Sequence, residues 1–288
     1  MPCARAEVRL PRDTPEMSSP PADRVVLVTG ASAGIGLATA ERLSAAGWRV
    51  VGASRRGSAP GRSVWKGLVM DVDDDESVHL GVVELLASHG RLDAVVAGAG
   101  WGLAGPVEHT PLEDAKAQFE TNFFGVVRVV SEALGPMRAG AGGRVVIVSS
   151  LAGVVGIPFQ SFYSASKFAL EGYGEALAYE VAPFGIDVTL VQPGNVRTEF
   201  TARRRRVVPP PRDPYDAAME RAVGVMERDE AAGAAPELVA RAIEGVLDSH
   251  RPPRRVSVGK AGERMGVFAK RLLPYRAFER AARSSLGV

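Results

Sequence analysis

The sequence predicts an α/β protein of three layers, α/β/α, in which one doubly wound parallel sheet of about seven strands is covered by helices on both faces. Short, continuous runs of apolar and β-branched residues recur along the chain, and the segments between them are long enough for helices. A parallel neighbour is reached only by crossing back over the sheet, so this rhythm places helices above and below it. A glycine-rich turn, Thr29-Gly30-Ala31-Ser32-Ala33-Gly34-Ile35-Gly36, stands directly after the first run. Such sheets bind ligands at the carboxyl ends of their strands, where this turn would lie.

In chain order, the first strand is expected at 24–28, where Val25-Val26-Leu27-Val28 suits burial on both faces. Ile35, Ala38, Leu43 and Ala46 form an apolar stripe that predicts a helix over 35–46, with Gly47 as its stop. Further strands are expected near 49–53, 67–70, 94–97, 145–148, 187–191 and 255–258, and a long helix over 162–179. Two regions break the rhythm. Residues 201–235 carry four arginines at 203–206, then Pro209, Pro210, Pro211 and Pro214, then a weakly apolar helical stretch. That insertion reads as a substrate lid, and its arginine run as a solvated loop. Residues 260–288 read as a basic helical extension mixing Phe268, Leu272, Leu273 and Phe278 with arginines. Pro274 interrupts its face, so packing on its own subunit is expected rather than contact with a membrane surface.

Residues 1–22 contain prolines and charges without a continuous apolar core, which predicts a flexible tail rather than a cleaved signal. The organisation is therefore a tail at 1–22, a single domain over 23–259 and the extension at 260–288. With 46% hydrophobic and 24% charged residues, the 288-residue chain has an ordinary globular composition. A net charge of +2 provides no general field for nucleic acid. The single cysteine, Cys3, permits neither a disulfide framework nor a cysteine zinc site, which fits a cytoplasmic protein. His79, His89, His109 and His250 are scattered, so no metal is expected. No apolar run reaches the length of a membrane span.

Chemistry concentrates at a few positions. In the turn after the first strand, glycines allow a sharp bend, close backbone approach to a pyrophosphate and tight packing of helix on strand. The helix that follows points free N–H groups and a positive dipole end at the phosphates. Tyr163 and Lys167 lie four apart on an expected helix and so share a face. A phenol titrates near 10, and a neighbouring ammonium lowers that value by favouring the phenolate. Ser150 follows the strand at 145–148 and is placed to donate to an oxygen on which charge grows, with Ser149 as the competing candidate. Asn122 stands between Thr121 and Phe123 in a largely apolar helix, where its amide needs a buried partner.

Together the threonine-led glycine turn, Asn122, Ser150, Tyr163 and Lys167, and Pro193-Gly194-Asn195-Val196-Arg197-Thr198 resemble the short-chain dehydrogenase/reductase family over 24–200. Within it the chain is most similar to the hydroxysteroid and retinol dehydrogenase-like branch. The resemblance implies a Rossmann-type fold and hydride transfer between nicotinamide C4 and a small hydrophobic ketone, aldehyde or secondary alcohol. Tyr163 would be the general acid/base, and Asn122 would hold a water linking Lys167 to solvent. The implied cofactor residues are Gly30, Ser32, Ala33, Gly34, Ile35 and Gly36 at the phosphates, and Asp71 and Val72 beside the adenine. Ala97, Gly98 and Ala99 follow at the ribose, then Tyr163, Lys167, Pro193, Gly194, Val196 and Thr198 around the nicotinamide.

In dinucleotide folds a carboxylate at the end of the second strand repels a 2′-phosphate. This chain has Arg55 and Arg56 there, which favours NADP(H) over NAD(H). One departure is that Ala97-Gly98-Ala99-Gly100 replaces the family's Asn-Asn-Ala-Gly, so the amides that tie the sheet together are missing. The expected substrate pocket is Trp101, Ser150, Phe159 and Tyr163, with Leu103, Val154 and Phe162 nearby. A homodimer or homotetramer is implied by the resemblance. A second reading is a catalytically silent dinucleotide-binding regulator or redox sensor; such proteins often lose the tyrosine or lysine, and this chain keeps both. A third, a nucleotide-sugar epimerase or dehydratase, calls for a longer substrate domain.

Overall fold

A computed structural model describes residues 23–57, 65–140 and 142–288; the expected tail at 1–22, including Cys3, lies outside the described residues. Strand β1 (Val25–Thr29) leads through the glycine turn into α1 (Gly34–Ala45), followed by β2 (Arg49–Ser54), β3 (Lys66–Val69) and α2 (Asp75–His89). Next come β4 (Ala94–Ala97), the two-residue β5 (Leu103–Ala104), α3 (Leu112–Phe119), α4 (Gly125–Ala139), β6 (Gly143–Val148) and α5 (Ser161–Val181). The chain continues through β7 (Ile186–Pro193), α6 (Phe200–Arg203), the two-residue β8 (Arg205–Arg206), α7 (Asp216–Ala231) and α8 (Pro236–Asp248). It ends with β9 (Arg255–Val258), α9 (Ala261–Leu272) and α10 (Tyr275–Leu286).

Seven strands form one sheet in the order β3-β2-β1-β4-β6-β7-β9, and every pairing is parallel. The chain winds outward from β1 through β2 to β3, then returns to lay β4 on the other side of β1. That reversal opens a crevice at the carboxyl ends of β1 and β4. Alternate residues of each strand feed two cores: Val25 and Leu27 pack with α2, α4 and α5, while Val26 and Val28 pack with α1 and α8.

Close packing of α1 on β1 requires glycine at position 36, where an added Cβ would lie 2.3 Å from the Gly30 carbonyl oxygen. Gly30 itself turns with φ +72°, a conformation that L side chains rarely adopt. The Thr29 hydroxyl accepts hydrogen bonds from the Gly98 and Ala99 N–H groups at 3.0 and 3.2 Å. A threonine thus ties β1 to the loop after β4, where the expected asparagine amides are missing.

The 201–235 segment corrects the expectation of a solvated arginine loop. Each of the four arginines is paired: Arg203 with Glu199, Arg204 with Glu230, Arg205 with Asp114, and Arg206 with Glu220. Strand β8 pairs in parallel with β5, and α7 buries Met219, Ala222, Val223 and Met226. Among the described residues no helix is long and apolar enough to cross a membrane.

Candidate active site

A cavity of about 1460 Å³ runs along the carboxyl ends of the strands. At one end the glycine turn contributes Gly30, Ser32, Ala33, Gly34, Ile35 and Gly36. Ala33, which precedes helix α1, offers it no side-chain cap, so the first N–H groups of the helix are left for whatever lies in the cavity. The same end is walled by Arg55, Arg56, Asp71, Val72 and Asp73. Asp71 does not cap α2; Asp74 does, accepting from Ser77 N at 2.6 Å. Burial pushes the Asp73 carboxyl above its usual value, a hydrogen bond from Thr121 opposes this, and Arg55 pulls in the same lowering direction. Arg55 is exposed and lines the same wall of the cavity.

At the other end Ser150 leaves β6, and Tyr163 and Lys167 project from α5. Their face of that helix continues through Leu170, Gly174, Leu177 and Val181, all buried, so the core fixes the rotation of α5. The Ser150 hydroxyl is hydrogen-bonded to Tyr163 and accepts from Ala152 N at 3.1 Å. Ser149, the alternative, is buried, and its hydroxyl has no partner. Lys167 Nζ donates to Val148 O at 3.0 Å and lies 5.9 Å from the Tyr163 ring centroid. Burial pulls the lysine down to about 8, partly countered by Glu171. Burial likewise pushes the Tyr163 phenol up; the Ser150 hydrogen bond opposes this, Glu230 reinforces it and Arg204 opposes it. On the phenol of the protein alone, burial outweighs the groups that lower it.

Asn122 is fully buried on a π-helical turn (Glu120–Phe124) between α3 and α4, a distortion that concentrates at functional sites. Its amide clasps the Trp101 backbone, accepting from N and donating to O, both at 3.0 Å. Asn122 Oδ1 and Lys167 Nζ would both lie within 4 Å of a Cβ at Gly100, so that glycine leaves room between them.

Gly98, Ala99, Trp101, Pro193, Gly194, Val196 and Thr198 also line the cavity. Five expected residues do not. Ala97 points into the core beneath the sheet. Phe159 adopts φ +59° and packs against Ala104, Met219 and Val223, away from the cavity. Leu103, Val154 and Phe162 are likewise absent from the lining.

The family model for short chain dehydrogenase matches residues 24–208. The chain belongs to the short-chain dehydrogenase/reductase family. It is accordingly an NAD(P)-dependent oxidoreductase. It is 39% identical over 263 residues to 3-ketodihydrosphingosine reductase of Bacteroides thetaiotaomicron, covering 90% of this chain and 97% of that protein. Retinol dehydrogenase 8 of Bos taurus is 37% identical over 256 residues, 81% of each chain. The crystal structure of a short-chain dehydrogenase from Streptomyces avermitilis superposes with TM-score 0.77 at 34% identity, covering 91% of this chain and 97% of that one.

The described residues fit the dinucleotide of a short-chain dehydrogenase/reductase: an uncapped helix start, glycines with no room for a Cβ and arginines share one cavity wall. The opposite wall comes largely from the two segments expected to be a lid and a C-terminal extension, although its individual residues were not singled out in the sequence as site residues. Phe200 from α6, Met226 and Glu230 from α7, and residues of α9 and α10 close over the site. The Phe200 and Tyr163 ring centroids are 5.6 Å apart, and the buried Arg204 guanidinium lies 5.7 Å from the Phe200 ring. Phe200, only six residues after Gly194, had a local signal; Glu230 had none.

Proposed function

We propose that this short-chain dehydrogenase/reductase reduces hydrophobic ketones or aldehydes with NADPH, with Tyr163 as proton donor. The observation that carries the reading is a phenol buried in the cavity, hydrogen-bonded to Ser150 and one helical turn from Lys167. The dinucleotide, when bound, supplies the hydride. The Ser150 hydroxyl and the Tyr163 phenol donate to the substrate oxygen, which strengthens as negative charge develops there. At neutral pH the phenol is protonated, the state a general acid requires. The Lys167 ammonium stabilises the phenolate left after transfer, and Asn122 holds the Trp101 loop against the site. The names of the relatives, a ketone reductase and a retinol dehydrogenase, support a hydrophobic substrate.

Arg55 and Arg56 support NADPH over NADH, since nothing at the end of β2 repels a 2′-phosphate. The test is a panel of hydrophobic ketones and aldehydes, followed by loss of reduced-cofactor absorbance with each dinucleotide. Turnover with NADPH is expected to exceed that with NADH, and Arg55→Asp to shrink or invert the ratio. A protein that binds NADPH and reduces nothing on the panel contradicts the reading. An unchanged ratio in Arg55→Asp contradicts the role given to Arg55.

A further inference from the structure

We propose that the space beneath α9 and α10 is a compartment for the aliphatic tail of a long-chain substrate, so that the site takes amphiphiles with a carbonyl near one end. This rests on the reductase reading above. Both helices are amphipathic, yet neither buries a single residue. An amphipathic helix ordinarily seats its apolar stripe on a protein core. On α10, Phe278, Ala281 and Ala282 instead face the cavity, while Arg276, Arg280 and Arg283 fall on the opposite side at helical spacing. On α9, Gly266, Val267 and Ala269 line the same cavity that holds Tyr163 and Ser150, whereas its larger apolar residues Met265, Phe268 and Leu272 are exposed and stand outside the lining, so the apolar face over the cavity is carried chiefly by α10.

Polar contacts hold this roof at its rim. Asn195 Nδ2 donates to Glu263 at 3.0 Å, Lys270 Nζ to Val154 O at 2.5 Å, and Arg221 Nε to Gly287 O at 3.0 Å. Between those ties the wall stands clear of the body: a Cβ added at Gly262 or Gly266 meets nothing within 4 Å, whereas one at Gly194 meets Glu263 at 2.2 Å. An apolar ceiling pinned by polar edges, continuous with the candidate reaction centre, matches a flexible hydrocarbon chain better than a compact polar substrate.

The experiment compares 2-hexanone and 2-dodecanone with NADPH in the wild type and in the double variant Gly266→Leu, Ala281→Leu. Each methylene moved from water into an apolar wall is worth about fourfold in affinity, so kcat/KM for the longer ketone is expected to be at least about tenfold higher. The double variant fills the compartment and is expected to lose that gain while keeping its activity on 2-hexanone. Equal kcat/KM for the two ketones in the wild type, or a gain retained by the double variant, overturns the proposal. If neither ketone is turned over, displacement of bound 1-anilinonaphthalene-8-sulfonate separates this proposal from the reductase reading. Displacement by 2-dodecanone from the wild type but not from the double variant supports the compartment. Absent displacement, or equal displacement from both proteins, overturns it.

Discussion

Burial lowers Lys167 to about 8 from an ordinary lysine value of 10.5, so the folded protein at neutral pH carries an ammonium that water would solvate better. The unfolded chain keeps this proton up to about pH 10.5 and the folded chain releases it near 8. This side chain's contribution to stability therefore rises with pH between those values and is flat below them. At about 1.4 kcal/mol per pH unit, the shift corresponds to a cost of about 3 kcal/mol at pH 7. Lys167→Met is expected to be as stable as the wild type or more so at pH 7, with the difference vanishing by pH 10.5; urea unfolding of both proteins across that range measures it. A variant markedly less stable at pH 7 contradicts this view of the lysine. A costly buried charge in the candidate site is the pattern expected where stability is traded for chemistry.

At the scale of elements, the cap built from α6, β8 and α7 is held by ion pairs of unequal worth. Glu230 and Arg204 are almost wholly buried, whereas Glu199 and Arg203 are mostly exposed. Breaking a buried pair strands a charge and costs roughly 3–5 kcal/mol; an exposed i,i+4 pair is worth less than about 1 kcal/mol. Glu230→Ala is therefore expected to lower the urea midpoint clearly and Glu199→Ala barely, and similar losses would contradict the ranking. These pairs also mark where sequence reading stops. The central strands were legible because they contain runs such as Val25-Val26-Leu27-Val28, whose burial follows from their own residues, while the edge strands β3 and β9 carry shorter and weaker runs. The arginine run was not, because a solvated and a paired arginine read alike and Asp114 lies 91 residues from Arg205. Phe159 gives no local hint of a left-handed backbone, and β5 and β8 are too short to carry a pattern.

Across the whole molecule, the doubly wound sheet gathers residues far apart in sequence along one edge. Gly30, Gly98, Ser150 and Gly194 follow four different strands, while α5 brings Tyr163 and Lys167 across them. The glycine turn and Ser150 could be singled out because each follows a strand, and Tyr163 and Lys167 because their spacing places them on one helical face. The roof over the cavity could not, since the apolar stripe of an amphipathic helix does not reveal whether a core or a ligand lies beneath it. The account turns on proton transfer from Tyr163, and its most direct test is Tyr163→Phe, assayed for NADPH binding and for turnover of the best ketone in the panel. General acid catalysis contributes about 10²–10⁴-fold, so turnover is expected to fall by that much with NADPH binding intact. Turnover within a few-fold of wild type would contradict the account.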